Sequence, residues 1–282
     1  MAPQPRIPTA PAIAVCFRSG MSRRSDLRGA LDAGLPIGVV ATEMSPAAQL
    51  MSLPRYLDNG GYVFVDSGAF TEFRTGLPVD WPRVYRAYES LIEMTDRAQR
   101  LYIVAPDKVG DQAESLCRLA AEASRVQRWI AAGAQVIVPL QRGSLAVDVL
   151  LETVKDILGT DRFVVGIPSN EAALTIEDCA QLQHHAFHIL GRVQEDQTQQ
   201  ARVSALACAS PTAILTADAS WLRSRLKAVN KLAREVRAED RAQARDPLAA
   251  WATSPRARAV AKLAKADYWG ADCVTQNKHF AY

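Results

Sequence analysis

Eight short runs of apolar, largely β-branched residues recur along the chain, and segments with helical character separate them. The runs fall at 12–17, 37–43, 62–66, 102–107, 135–141, 163–167, 187–191 and 213–217. Each is apolar on both faces and bounded by polar, Gly or Pro residues, the pattern of parallel strands covered by helices. Strand and helix alternating eight times predicts a closed (β/α)8 TIM barrel, with an open doubly wound sheet as the alternative. A chain of 282 residues is long enough for one such barrel. The expected organisation is a flexible Pro-rich segment at 1–11 and a catalytic barrel at 12–237. A short basic helical extension at 238–282, holding Trp251, Tyr268 and Trp269, is expected to pack back on the barrel.

Capping signals locate the helices. Ser45-Pro46 opens one over 47–56, and Asp80-Trp81-Pro82 opens one running to about residue 100. Asp111 with Glu114 reads as a variant capping box ahead of a helix to residue 132, closed by Gly133. Ser144 is expected to start a helix over 145–158, and Thr175 a short one to about residue 184. A further helix spans 194–209, and Ser220 opens a long basic one to about residue 237.

Composition excludes several classes. Hydrophobic residues make up 49% and charged residues 22%, as in an ordinary globular protein that buries a sizeable core. No apolar run approaches the roughly 20 residues of a membrane span, and the N-terminus lacks the pattern of a secretory signal, so a cytoplasmic protein is expected. Cys16, Cys117, Cys179, Cys208 and Cys273 never fall in CxxC or CxC spacing, which argues against both a disulfide framework and a cysteine zinc site. His184, His185 and His188 resemble a metal cluster at first sight. No Cys or carboxylate completes the spacing, and no metal is expected. Net charge is only +3, but residues 221–282 hold thirteen Lys or Arg against six Asp or Glu. A basic C-terminal quarter suits either a polyanionic partner or a solvated helix face.

In a barrel of this kind the active site is built at the C-terminal ends of the strands. Those positions here read Asp66-Ser67-Gly68-Ala69-Phe70, Pro106-Asp107-Lys108, Gln141-Arg142-Gly143, Gly166-Ile167-Pro168, Leu190-Gly191-Arg192 and Asp218-Ala219-Ser220. Carboxylates, carboxamides and glycines converge on one rim, which a purely structural barrel does not need. Asp111, by contrast, is expected to serve as a helix cap. Arg142 and Arg192 on that rim are candidates for phosphate contact, as are Arg223, Arg225, Lys227, Lys231 and Arg234 on the basic helix.

These segments carry a resemblance. Val65-Asp66-Ser67-Gly68-Ala69-Phe70 resembles the Asp-Ser-Gly-Gly-Phe signature of the tRNA-guanine transglycosylase superfamily, which exchanges guanine in nucleic acid for a 7-deazaguanine. Asp107, Gln141-Arg142-Gly143, Gly166, Leu190-Gly191 and Asp218 follow in the family's order, over 62–221. The resemblance implies that Asp218 is the nucleophile at C1′ and Asp66 the general acid/base. It further implies that Asp107 and Gln141 hydrogen-bond the purine edge. Gly166, Leu190 and Gly191 would line the base pocket, with Ser67 and Phe70 of the signature beside them. No cofactor is implied, since the glycosidic bond energy is conserved. The residue types suit this chemistry. Two displacements at one carbon need a carboxylate nucleophile and a second acid/base, and an Asp acceptor is the natural reader of guanine's N1–H and N2–H2 donors.

The chain departs from the family at three points. It lacks the CxCxxC-plus-His zinc site that helps to grip tRNA, Ala69 replaces the second Gly, and Thr71 stands where Gln is usual. DNA is therefore favoured over tRNA as the nucleic-acid substrate, with the basic C-terminal quarter as the phosphate-binding surface. Two other classes stay open: a hydrolytic nucleosidase or glycosidase on the same barrel, and a non-catalytic nucleic-acid-binding barrel.

Overall fold

A computed structural model of the chain describes residues 13–169, 174–191, 197–220, 222 and 225. The segments expected at 1–11 and 238–282, and the basic helix after Ser220 apart from residues 222 and 225, lie outside the described residues. The eight expected strands are all present: β1 (Val15–Arg18), β2 (Ile37–Val40), β3 (Val63–Asp66), β4 (Leu101–Val104), β5 (Gln135–Pro139), β6 (Val164–Pro168), β7 (Ala186–Leu190) and β8 (Ile214–Ala219). All are parallel, each pairs with the next, and β8 pairs back with β1, closing a (β/α)8 barrel. Among the described residues no helix is long and apolar enough to cross a membrane.

Alternation of side chains along each strand divides the core into two layers. One set packs outward against the helices, including Cys16, Ile37, Val39, Val63, Val65, Ile103, Val136, Val165, Phe187 and Ala217. The other set fills the barrel: Val15, Phe17, Phe64, Tyr102, Val104, Ile137, Val164 and Ala186, with Leu190 packed against it. Aromatic rings plug the interior, Phe17 lying 5.7 Å from Phe64 and 5.1 Å from Tyr102 between centroids. Strands so short read as apolar throughout because both of their faces are dry.

The helices are α1 (Arg24–Ala33), α2 (Leu53–Asp58), α3 (Ala69–Thr75), α4 (Trp81–Glu93), α5 (Gln112–Ala121), α6 (Ala123–Ala131), α7 (Val147–Leu158), α8 (Ile176–Gln181) and α9 (Gln197–Ala209). Five depart from the sequence reading. The helix expected from Asp80 to about residue 100 ends at Glu93, ahead of a separate 3-10 turn over Ala98–Arg100, and the one expected to about residue 184 ends at Gln181. The helix expected from residue 47 begins as a π-helical turn over Ala48–Ser52 before α2. Pro54 explains the wide turn, because it has no N–H for a carbonyl four residues back and its ring crowds that carbonyl. The helix expected to run from Asp111 to residue 132 kinks at Glu122 (φ −108°, ψ 11°) into α5 and α6. Ser115, Leu119, Val126 and Trp129 still form one buried stripe across the kink, and no Gly or Pro in the sequence marks it.

Ser144 does not cap α7, which starts only at Val147. The Gln112 side chain holds the preceding loop instead, accepting from Leu145 N at 2.8 Å and donating to Leu145 O at 3.3 Å. The helix drawn from residue 194 is described from Gln197. Two helices were not anticipated. α1 follows Arg23, which makes no side-chain cap bond, and α3 turns Phe70 and Phe73 outward, so neither carries the usual start signal. Asp111 and Thr175 cap as expected, accepting from Glu114 N at 3.0 Å and Asp178 N at 3.1 Å.

This assignment of caps has a measurable consequence. Asp111→Ala should lower stability by about 1 kcal/mol, whereas Ser144→Ala should fall within about 0.5 kcal/mol of the parent. Phe64→Ala, which empties the centre of the barrel, should cost about 3–5 kcal/mol. Urea denaturation of the three variants checks the order, and a costly Ser144→Ala would contradict the α7 boundary.

Candidate active site

The period of two that fills the barrel also selects what stands at its mouth. Asp66 lies two residues beyond Phe64, Asp218 two beyond Thr216, and Gln141 two beyond Pro139. These are the C-terminal ends of β3, β8 and β5, on the rim where such barrels carry chemistry.

Asp218 is 7% exposed and held from several sides. Its Oδ2 accepts from the Ser19 hydroxyl at 2.7 Å, and its Oδ1 from the Gly191 N–H at 2.7 Å. Gly191 adopts φ +94°, and a Cβ there would lie 2.7 Å from Ser169 Oγ, so only glycine presents this N–H. Gly38 has a matching role beneath Ser19. A Cβ at 38 would come within 2.6 Å of Ser19 Oγ and 2.9 Å of its Cα, so the bare strand lets Ser19 reach Asp218. His188 lies below, fully buried and stacked on Phe64 at 4.9 Å, with Nε2 3.5 Å from Asp218 Oδ1.

Asp66 receives less. Its Oδ1 accepts from Gly68 N at 2.9 Å across the turn into α3. Burial raises its carboxyl to about 6, with the charges of Asp218 and Glu43 adding to the rise and the Gly68 hydrogen bond opposing it. Ser67 is buried and accepts from Ala69 N at 3.2 Å, so its hydroxyl shapes the turn.

Asp107 is 3% exposed. Gln141 Nε2 donates to its Oδ2 at 2.9 Å, while Oδ1 is buried with no hydrogen-bond partner among the described residues. Burial raises this carboxyl to about 7, Gln141 opposes, and the Asp66 charge adds to the rise. Gln141 Oε1 accepts from Gly110 N at 3.0 Å, so both ends of this carboxamide position the Asp107 loop. One N–H and one lone pair of Gln141 remain for anything else.

A charged cluster ties two rim loops together. Glu72 on α3 is buried and binds Lys108, beside Asp107, and Arg118 on α5. Arg118 also donates to the Asp107 carbonyl at 2.9 Å. Burial pushes the Glu72 carboxyl up, but the Lys108 and Arg118 hydrogen bonds outweigh it and leave the carboxyl below its ordinary value.

Asp66, Asp107, Gln141 and Asp218 therefore all stand at one end of the barrel. Gly166 lies buried on β6, where a Cβ would sit 3.0 Å from Leu190 Cδ1, and Leu190 is half-buried on β7. Phe70 stands apart, 52% exposed on the first turn of α3, 6.1 Å from Phe73. Arg142 and Arg225 are exposed. Arg192, Arg223, Lys227, Lys231 and Arg234 lie outside the described residues.

The sequence reading missed three participants. Ser19 was detectable, since it stands two residues past Phe17 at the end of β1, but a small hydroxyl there carries no charge signal. Gly38 gave none. His188 was weighed with His184 and His185 for metal, but β7 carries it into the barrel. His184 Nε2–H instead donates to the Phe163 carbonyl at 2.8 Å.

No protein-family model matches the sequence, and no curated protein matches it. Solved structures that it resembles include a xylose isomerase-like TIM barrel/4-hydroxyphenylpyruvate dioxygenase fusion protein. That likeness has a TM-score of 0.43 and 7% identity, covering 74% of this chain and 38% of the other. Nothing about the chemistry of this chain follows from it.

The raised carboxyls fix the sign of a pH effect. Asp66 and Asp107 hold protons more tightly folded than unfolded, so their contribution to stability is complete below about pH 4. It is lost as pH rises through about 6 to 7. Asp107→Asn should flatten this decline and raise stability at pH 8, as read by urea midpoints between pH 4 and 8. A variant less stable than the parent at pH 8 would contradict the assignment.

Proposed function

We propose that this chain is a guanine transglycosylase-like pentosyltransferase that replaces guanine in nucleic acid by a 7-deazaguanine base. The observation that carries the reading is the division of labour among three carboxylates at one barrel mouth. Asp218 is held by two donors at 2.7 Å, Asp66 is raised to about 6, and Asp107 has a buried oxygen with no partner among the described residues.

In this mechanism guanine offers its N1–H and N2–H2 to Asp107 Oδ1, meeting lone pairs that have no partner among the described residues. The purine's donors favour the carboxylate form of Asp107, so binding releases a proton from it near neutral pH. Asp218 attacks C1′ of the sugar, a C1′–O bond forms, and the C1′–N9 bond breaks. Asp66 in its acid form supplies the proton that the departing guanine takes up. Its carboxylate then removes a proton from the incoming base, whose nitrogen attacks C1′ and displaces Asp218 with overall retention. A carboxyl near 6 keeps both forms available at neutral pH, which an acid that must also act as a base requires.

DNA is favoured over tRNA, on the sequence grounds given above. A duplex would have to surrender its guanine by base flipping, since the carboxylates are set into the barrel mouth. The exposed Arg142 supplies phosphate-binding charge beside Gln141.

The test is capture of the intermediate. Wild-type protein mixed with guanine-containing DNA or tRNA and then denatured should retain a covalent protein–polynucleotide adduct, and labelled guanine should exchange into the polymer. Asp218→Asn should abolish the adduct, and Asp66→Asn should slow its formation and turnover by about 10²–10⁴-fold. Release of free base without exchange would make the protein a hydrolase. Tight binding with neither adduct nor release would make it a binding module.

A further inference from the structure

The ring of donors around Asp218 includes one group that the reaction above does not use. His188 stands on β7 in register with Thr216 on β8, and its Nδ1 lies 2.8 Å from Thr216 Oγ1. Its Nε2 is buried, makes no hydrogen bond of ordinary length among the described residues, and faces Asp218 Oδ1 at 3.5 Å. Phe64 and Phe17 pack against the ring at 4.9 and 5.9 Å, so the imidazole has no water to turn to.

Three proton arrangements are open to this ring, and the surroundings separate them. With the proton on Nδ1, the ring donates to Thr216, and a bare Nε2 lone pair faces a carboxylate oxygen in a dry site. Two acceptors then oppose each other. With both nitrogens protonated, the ring and Asp218 form a buried ion pair. Bond formation at C1′ would then discharge the carboxylate and strand a buried imidazolium. With the proton on Nε2, the Thr216 hydroxyl donates to Nδ1, and Nε2–H points at Oδ1. Every polar atom then has a complement. The Thr216 hydroxyl has a second acceptor, the Phe187 carbonyl, but at 3.2 Å against 2.8 Å to Nδ1.

We infer that His188 is a positioning residue for Asp218. Fixed by Thr216 as its Nε2–H tautomer, it holds Oδ1 and leaves Oδ2 as the oxygen that attacks the sugar. The lone-pair count identifies that oxygen. Oδ1 accepts from Gly191 N–H at 2.7 Å and is faced by His188 Nε2 at 3.5 Å, so both of its sites are directed at protein groups. Among the described residues Oδ2 accepts only from Ser19, which leaves it one lone pair. The neutral ring also suits a nucleophile that must lose its charge and regain it in each cycle. The choice of attacking oxygen rests on the proposed base exchange. So does the preference for a neutral ring over an imidazolium; the contact itself and the exclusion of the Nδ1–H tautomer do not.

The first measurement needs no substrate. In ¹⁵N-histidine-labelled wild-type protein, the His188 ring, assigned by its loss in His188→Phe, should give a protonated-type Nε2 and a pyridine-type Nδ1. Asp218→Asn should shift the Nε2 signal. An Nδ1–H or doubly protonated ring overturns the inference. The second measurement uses the covalent adduct. His188→Phe keeps the stacking on Phe64 but removes the donor, and should slow adduct formation by about 10- to 100-fold, with KM for the free base unchanged. His188→Gln, which restores an N–H, should recover most of the rate.

Equal adduct rates in wild type and His188→Phe overturn the positioning role while leaving base exchange standing. An Nε2–H ring coupled to Asp218, in a protein that forms no adduct and exchanges no base, overturns base exchange while leaving the contact standing.

Discussion

The closed ring of eight parallel strands leaves no sheet edge and forces every second side chain into a space too narrow for water and aromatic rings together. Phe17, Phe64, Tyr102 and Ile137 occupy that space, and polar groups are confined to the layer above them. Asp66, Asp218 and Gln141 are the continuation, one step further along their strands, of the same inward-pointing series. The core and the site are two ends of one alternation. The ring of His188 joins them, since it packs as an aromatic on Phe64 and reaches a carboxylate with its far nitrogen.

Within that layer, hydrogen-bond supply separates carboxylates of identical chemistry. Among the described residues Asp218 receives a hydroxyl and a backbone N–H at 2.7 Å, Asp66 one backbone N–H at 2.9 Å, and Asp107 one carboxamide N–H at 2.9 Å. Donors favour the charged form and burial the neutral one, and for Asp66 and Asp107 burial wins. The backbone is therefore an electrostatic component of the site. A glycine with positive φ at 191 and a missing side chain at 38 act on Asp218 as directly as a charged neighbour would.

The strands were legible because both faces of each are dry, which writes an apolar run into the sequence. The rim carboxylates were legible because each breaks such a run at its end. Less visible were features that depend on partners far along the chain. Ser19 reaches Asp218 across 199 positions, and Gln112 takes up the backbone of Leu145 that Ser144 was expected to organise. α3 escaped notice because its two phenylalanines face outward and its cap is a left-handed glycine, reversing the usual amphipathic signal. The kink at Glu122 leaves the buried stripe in phase, so no pattern of hydrophobicity records it.

The Glu72 cluster reaches beyond its own energetics. One buried carboxylate grips a lysine next to Asp107 and an arginine that also binds the Asp107 carbonyl, while its own helix begins three residues before it, at the turn that orients Asp66. The loops after β3 and β4 thus share a single fastening. They form one inheritable module: a loop transplanted from another barrel without its partner would arrive with half a lock. Redesign of the mouth for a different ring system has to move both loops as a unit, or first replace Glu72 by fastenings internal to each.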